Sequence, residues 1–179
     1  MQVPYQGLLV SIVIPTYNRA YCLDRAVQSV LNQTYSKWEL IIIDNHSSDN
    51  TDALVNGYQD PRIILYKIHN NGIIAASRNM GIMKAKGELL AFLDSDDWWV
   101  ENKLQSSVNK INSGADLVYH DLIIFSKLNE SSLFYKTFMT NKFIKLSYSI
   151  LWNVMFERHI YHCPSCGRGL CTAAVAVLV

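Results

Sequence analysis

Leu89-Leu90-Ala91-Phe92-Leu93-Asp94-Ser95-Asp96-Asp97 begins with an apolar run and ends in three carboxylates within four positions, followed at once by Trp98 and Trp99. A short apolar run bounded by polar residues reads as a strand buried on both faces, so the acids stand where a strand leaves a sheet. Acids packed this closely repel one another unless a cation or solvent neutralises them. Hard cations such as Mg²⁺ or Mn²⁺ take carboxylate oxygens and leave room for substrate phosphates. The same acids could instead belong to a loop that caps the next helix.

Working outward, the flanking segments repeat one pattern. Residues 8–14 are a β-rich apolar run, which Pro15 is expected to end, because proline cannot continue a central strand. Leu23, Val27, Val30 and Leu31 then follow a helical stripe within residues 20–32. Trp38-Glu39-Leu40-Ile41-Ile42-Ile43 is a second buried strand, and the Ser/Asp cluster of residues 44–49 suits the cap of a short helix over 51–58. A third strand covers 62–68, and a helix begins after Asn70-Asn71-Gly72 and runs to about Lys86, with Gly87 as its stop. Leu104, Val108 and Ile111 mark another helix ended by Gly114, and 116–125 contains a fifth strand, broken near His120-Asp121.

Regular alternation of strand and helix means βαβ units, an α/β fold and a mostly parallel sheet. Right-handed crossovers align the loops that follow the strands along one edge, where open sheets of this kind bind ligands. Residues 15–19, Asp44 and the acids at 94–97 all follow strands, so they are expected to meet at one cleft.

The bulk composition narrows the class. A chain of 179 residues, half of them hydrophobic and 17% charged, fits a single domain and is too apolar for disorder. Net charge is +1, and nothing global points to nucleic acid. Residues 126–179 hold six Lys/Arg against two Asp/Glu, a bias that fits a solvated face or contact with anionic lipid or an anionic acceptor. Neither a secretory leader nor a spanning apolar run is legible. A cytoplasmic protein is expected, with peripheral contact to the inner face of the membrane left open. Residues 141–156 could form an amphipathic helix that packs on the core or lies at a membrane. Cys163 and Cys166 form a CxxC with His159, His162 and Cys171 nearby, which is zinc-ligand spacing without a second, distant ligand pair.

A cleft of this kind with clustered carboxylates suits a nucleotide bridged by a metal. The residues after the first strand, Pro15-Thr16-Tyr17-Asn18-Arg19, are neither a dinucleotide fingerprint nor a Walker loop. Without a Gly-rich cradle, a diphosphate needs another source of positive charge, and a metal held by the acids supplies it.

Ser11-Ile12-Val13-Ile14-Pro15-Thr16-Tyr17-Asn18-Arg19 resembles the opening strand of the family 2 inverting glycosyltransferases, which have the GT-A fold. Asp44-Asn45-His46-Ser47-Ser48-Asp49-Asn50-Thr51 resembles that family's acidic loop, and Ala76-Ser77-Arg78-Asn79-Met80-Gly81 its Ala-Arg-Asn-x-Gly segment. Gly87-Glu88 precedes the fourth strand as in the family, and Asp94-Ser95-Asp96-Asp97 resembles its Asp-x-Asp motif. The likeness covers about residues 8–125. It implies a Rossmann-like nucleotide-sugar-binding sheet over 1–125, with helices on both faces, and a partial acceptor region over 126–179.

It further implies metal-dependent transfer of a sugar, from a UDP-sugar above all, to a glycan or lipid-linked acceptor in cell-surface polysaccharide assembly. Pro15, Thr16 and Tyr17 would border the nucleobase and ribose, and Asp44 would accept a hydrogen bond from a uracil N–H. Arg78 would sit near the base and phosphates, Asp94 and Ser95 near the ribose and donor sugar, and Asp96 would ligate Mg²⁺ or Mn²⁺. Asp97 could equally cap the next helix, and the two tryptophans could simply pack. His46 stands where the family has glycine, so a modified loop that avoids positive φ is expected, and Asn45 replaces a usual acid.

An inverting transferase also needs a general base for the acceptor hydroxyl. Beyond residue 125 only Glu130 and Glu157 are acidic, neither in a recognisable motif, so the catalytic base is unassigned. The unfamiliar ending is expected to reflect a truncated or frame-shifted tail. A nucleotide-sugar-binding fragment that lacks the base is the alternative to an active transferase.

Overall fold

The computed structural model describes residues 7–119 and four further strand segments. In chain order the elements are β1 (Val10–Thr16), α1 (Ala20–Leu31), β2 (Trp38–Asp44), α2 (Thr51–Gly57), β3 (Ile63–Lys67), α3 (Ile74–Lys84), β4 (Leu89–Phe92), α4 (Lys103–Asn112) and β5 (Leu117–Tyr119). The further strands are β6 (Leu122–Leu128), β7 (Ser131–Thr137), β8 (Arg168–Gly169) and β9 (Ala174–Val177). The main sheet has the order β3-β2-β1-β4-β9-β5, with β1 to β4 mutually parallel. A smaller antiparallel sheet has the order β7-β6-β8.

β1, β2 and β4 are buried along their whole length, which is why they read as unbroken apolar runs. Alternate residues serve opposite faces. Ile12, Ile14, Leu40 and Ile42 pack with Leu23, Val27 and Val30 of α1, Val55 of α2, and Leu104 and Val108 of α4. Val13, Ile41, Ile43, Leu90 and Phe92 form the opposite core, against Met80 and Ile82 of α3. Helices therefore cover both faces, as the alternation of elements predicts. Each fully buried Ile or Leu contributes about 1.5–3 kcal/mol, so this two-sided core holds the strand ends in fixed register.

Pro15 does not end β1 but lies within it, opposite Ile43 of β2. The carbonyl of Val13 accepts from Leu93 N–H just past the end of β4, so odd-numbered residues of β1 turn their polar groups toward β4. Pro15 faces the same way, beyond the reach of that short strand, and its missing N–H removes no ladder bond. Gly87 is not the stop of α3, which already ends at Lys84 with Ala85 extended. Its role is close approach: a Cβ on Gly87 would lie 2.4 Å from the carbonyl oxygen of Leu9 and 2.8 Å from Ser11 Oγ. Gly81 likewise lets α3 sit on Val13, whose Cγ1 would be 2.3 Å from an added Cβ.

The fifth strand expected over 116–125 is two strands, β5 and β6, belonging to different sheets, and His120-Asp121 at the break lies outside the described residues. The apolar run at 174–177, taken from sequence as part of an atypical tail, forms β9, antiparallel to both β4 and β5. A Val-rich segment suits that place, where two strand edges would otherwise leave backbone groups unpaired. The helix expected at 141–156, the CxxC with its histidines and Cys171, and Glu130 and Glu157 all fall outside the described residues. No described helix is long and apolar enough to cross a membrane.

Asp49 joins the starts of two helices. Its Oδ2 accepts from the Ala20 N–H of α1 at 2.9 Å, and its Oδ1 from the Thr51 N–H and hydroxyl of α2. Burial pushes its carboxyl up, but the hydrogen bonds from Ala20 and Thr51 outweigh that and hold it below the usual carboxylate range.

Replacing Gly87 with Ala is expected to destabilise the fold by about 1–3 kcal/mol, read by urea titration, because a backbone oxygen rather than a movable side chain blocks the methyl. Unchanged stability would mean the β1–β4 approach is looser than described. The depressed Asp49 carboxyl stabilises the fold above the ordinary Asp value of about 4, and that contribution is lost as pH falls through its lower folded-state value. Asp49→Asn should therefore lower the melting temperature at pH 7, with the gap to wild type closing on acidification. A gap that stays constant with pH would count against this role.

Candidate functional site

Parallel register brings the ends of the strands into one row. Thr16 lies opposite Asp44, and Asp44 opposite Lys67, so three polar residues cross the carboxyl edge side by side. The Asp44 carboxylate is fully buried. It accepts from Lys67 Nζ at 2.6 Å, from the Ser47 N–H at 3.1 Å and from the Ser47 hydroxyl. Lys67 also pairs with Asp52 of α2. Burial pulls the Lys67 ammonium down, but Asp44 and Asp52 outweigh this and hold its pKa above the ordinary lysine value. The resemblance implied that Asp44 accepts from a uracil N–H; within the protein its oxygens accept from Lys67 and Ser47. Cross-strand pairing put Lys67 there, and nothing in its local sequence announces it.

The loops after the first three strands are stitched together. Asn18 N–H donates to Ser47 Oγ at 2.7 Å, and Asn18 Oδ1 accepts from Ser48 N–H at 2.7 Å. Asn45 Oδ1 accepts from Asn70 N–H at 2.9 Å. Each of these loops contains one non-glycine residue in the left-handed region: Asn18 (φ 49), His46 (φ 53) and Asn71 (φ 51). His46 thus takes the very conformation it was expected to avoid. Histidine and asparagine are among the residues that tolerate this region, and the His46 ring stacks on His69 with centroids 3.7 Å apart.

The acids after β4 do not converge. Asp94 Oδ1 accepts from Arg78 Nη2 of α3 at 2.7 Å. Asp96 Oδ2 accepts from Arg19 Nη1 at 2.6 Å, and the Asp96 carbonyl accepts from Arg25 Nη2 at 2.9 Å. The Arg25 guanidinium lies 3.9 Å above the centre of the Trp98 ring. Asp97 is wholly buried, with its N–H on the Asp94 carbonyl. It does not cap α4, which starts at Lys103 after Asn102. Trp99 packs in the core, and Ser95 is buried within the turn. Gln33 anchors the following segment, donating to the Val100 carbonyl at 2.8 Å and accepting from Leu104 N–H at 2.9 Å.

Arg78 and Arg19 thus neutralise two of these acids, Asp94 and Asp96, from within the protein. Among the described residues no three His, Cys, Asp or Glu side chains are grouped to hold a metal. A divalent cation could still be completed by ligand: Mg²⁺ commonly takes one or two carboxylates with substrate phosphates and water. Asp96 fits that demand, because its side chain is 41% exposed whereas Asp97 is enclosed.

Thr16 ends β1 after Pro15, and Tyr17 is 56% exposed beside them. The Thr16 hydroxyl is buried without a hydrogen-bond partner among the described residues. Cation–carboxylate pairs, an exposed aromatic ring and a spare hydroxyl suit a ligand that combines a ring, hydroxyl groups and anionic oxygens. Sequence reasoning brought Tyr17, Arg78, Asp94 and Asp96 to this edge. It placed Arg19 at the same cleft without giving it a role, and it passed over Arg25, nearly two turns further along α1.

Residues 11–174 match the Glycosyl transferase family 2, reaching well past the motifs that end near 125. An Escherichia coli protein, UDP-Glc:alpha-D-GlcNAc-diphosphoundecaprenol beta-1,3-glucosyltransferase WfgD, is 43% identical over 101 residues, which are 56% of this chain and 40% of that protein. The putative teichuronic acid biosynthesis glycosyltransferase TuaG of Bacillus subtilis is 38% identical over 102 residues, again 40% of its length. The chain thus spans about two fifths of the length of these relatives. S. aureus TarS 1–349 in complex with UDP superposes with a TM-score of 0.58 and 26% identity, covering 62% of this chain and 34% of that one. With its parallel sheet, its helices on both faces and a match over most of its length, the chain belongs to glycosyl transferase family 2.

Proposed function

We propose that this chain binds a UDP-sugar at the carboxyl edge of β1–β4 and serves transfer of the sugar to a glycan or lipid-linked acceptor in cell-surface polysaccharide assembly. The observation that carries the reading is the set of paired charges at that edge, Asp94 with Arg78 and Asp96 with Arg19, each partly open to solvent. Support for the donor comes from UDP in the TarS complex and UDP-Glc in the name of WfgD. The acceptor class is suggested by the diphosphoundecaprenol in that same name. An acceptor held in a membrane would place the chain at the cytoplasmic face, in peripheral contact with lipid.

In this reading Tyr17 offers its exposed ring to the nucleobase, and the unpartnered Thr16 hydroxyl faces the ribose side. Asp44 shapes the floor, because Lys67 and Ser47 hold it beneath the stitched loops. Asp94 accepts from donor hydroxyls while Arg78 fixes its orientation and turns spare N–H groups to anionic oxygens. Asp96 would hold Mg²⁺ or Mn²⁺, which, when bound, neutralises charge on the departing diphosphate. Arg25 and Trp98 keep the Asp96 backbone in place.

Deprotonation of the acceptor needs a free base. Asp44, Asp94 and Asp96 are each already ion-paired. That observation favours a second reading, in which the described part binds the nucleotide-sugar without completing transfer.

UDP with Mn²⁺ is expected to raise the melting temperature, since ligand at 100 times its dissociation constant stabilises by about 2.7 kcal/mol. Asp96→Ala should abolish the Mn²⁺ dependence of that shift. Absence of UDP binding with every divalent cation tried would overturn the donor assignment. Assay of sugar release and transfer then separates the readings: binding without transfer to any acceptor selects the second. Asp94→Asn should weaken UDP-sugar binding about tenfold or more through loss of a charge-assisted contact, measured by calorimetry. A wild-type affinity would remove Asp94 from the site.

A further inference from the structure

The reading above uses Arg19 only as the partner of Asp96, yet it thereby occupies the carboxylate assigned to the metal. It stands at the start of α1, with Nη1 2.6 Å from Asp96 Oδ2. Among the described residues Asp96 is the only polar partner of its side chain. Both side chains are about two-fifths exposed, at 43% and 41%. Arg25 is held differently, by a backbone carbonyl and by the Trp98 ring, so it braces the loop and does not cover the carboxylate. The Arg19 guanidinium can leave Asp96 without unpacking anything, whereas Arg25 cannot.

A guanidinium and a divalent cation repel each other and compete for the same carboxylate oxygen. We propose that Arg19 is a built-in counter-ion that occupies Asp96 in the empty protein, is displaced by the cation arriving with a diphosphate, and then pairs with the diphosphate itself. The guanidinium fork matches phosphate oxygens as well as it matches a carboxylate, so the displaced charge finds a partner only when nucleotide is present. Free cation alone must break the Arg19–Asp96 pair and leaves the arginine with nothing in exchange. Arg19 thereby couples the two ligands, making Asp96 a poor site for free metal and a good one for the metal–diphosphate pair. The exchange moves no covalent bond and no proton. This inference rests on the assignment of Asp96 to the metal.

The test is Mn²⁺ binding by electron paramagnetic resonance, with and without UDP, on wild type, Arg19→Met, Arg19→Lys and Asp96→Asn. Arg19→Met should bind Mn²⁺ alone about fivefold more tightly, the scale of an exposed ion pair. The factor by which UDP enhances Mn²⁺ affinity should fall by about tenfold in the same variant. Arg19→Lys, which keeps the charge and loses the fork, should lie between the two, and it carries the test if Arg19→Met fails to fold. If removing Arg19 leaves Mn²⁺ binding no tighter, or leaves the enhancement by UDP intact, the coupling role is wrong. Asp96→Asn reports separately: unchanged Mn²⁺ binding with UDP present would remove Asp96 from the metal site, and with it this role for Arg19.

Discussion

The placement of β1 between β2 and β4, buried on both faces, is the constraint on which the rest of this molecule depends. A strand enclosed in this way can carry no exposed chemistry along its length. Polar and charged side chains are therefore driven to the places where strands end. Parallel pairing then puts those ends on one edge. Thr16, Asp44 and Lys67 form a row there because register makes them neighbours, and Asp94 follows one residue after the Leu93 N–H bonds to Val13. Gly81 and Gly87 serve the same constraint, since side chains there would push α3 or the start of β4 away from β1.

Charge at the edge is balanced within the protein. Each acid that reaches the cleft has a basic partner from a different element: Lys67 from β3 for Asp44, Arg78 from α3 for Asp94 and Arg19 from the start of α1 for Asp96. The pairs differ in burial, and burial decides what each can do. The Asp44 carboxylate is enclosed, and breaking its bond with Lys67 would leave a buried charge at a cost of several kcal/mol. The Asp96 pair is open to water, where an ion pair is worth about 0–1 kcal/mol and is readily exchanged. A fixed inner pair and an exchangeable outer one are what a site needs if it is to hold its shape while accepting a charged ligand.

Much of this was legible in the residues. Ile41, Ile42 and Ile43 announce a strand buried on both faces, and Leu23, Val27 and Val30 announce the stripe of α1. Arg78, Asp94 and Asp96 could be named because they lie in short motifs whose spacing survives in one dimension. Lys67 could not be, because it becomes a partner of Asp44 only through strand pairing across 23 residues. Pro15 and Gly87 were misread for a related reason. Local rules treat proline and glycine as terminators, whereas here the short reach of β4 and the closeness of Leu9 set their roles. His46 was misread because backbone preference was weighed without the His69 ring that stacks against it.

Periodicity alone determined the α/β class and the sequence of the first elements, and short motifs carried the resemblance to the family that the match over residues 11–174 shows. These follow from local patterning and from the handedness of βαβ units, both written in neighbouring residues. Tertiary structure alone decided which charges meet, that the acids separate onto different arginines instead of gathering, and that residues 174–177 enter the sheet between β4 and β5. Such contacts join positions tens of residues apart, and their energies depend on distance and burial, which exist only once the chain has folded.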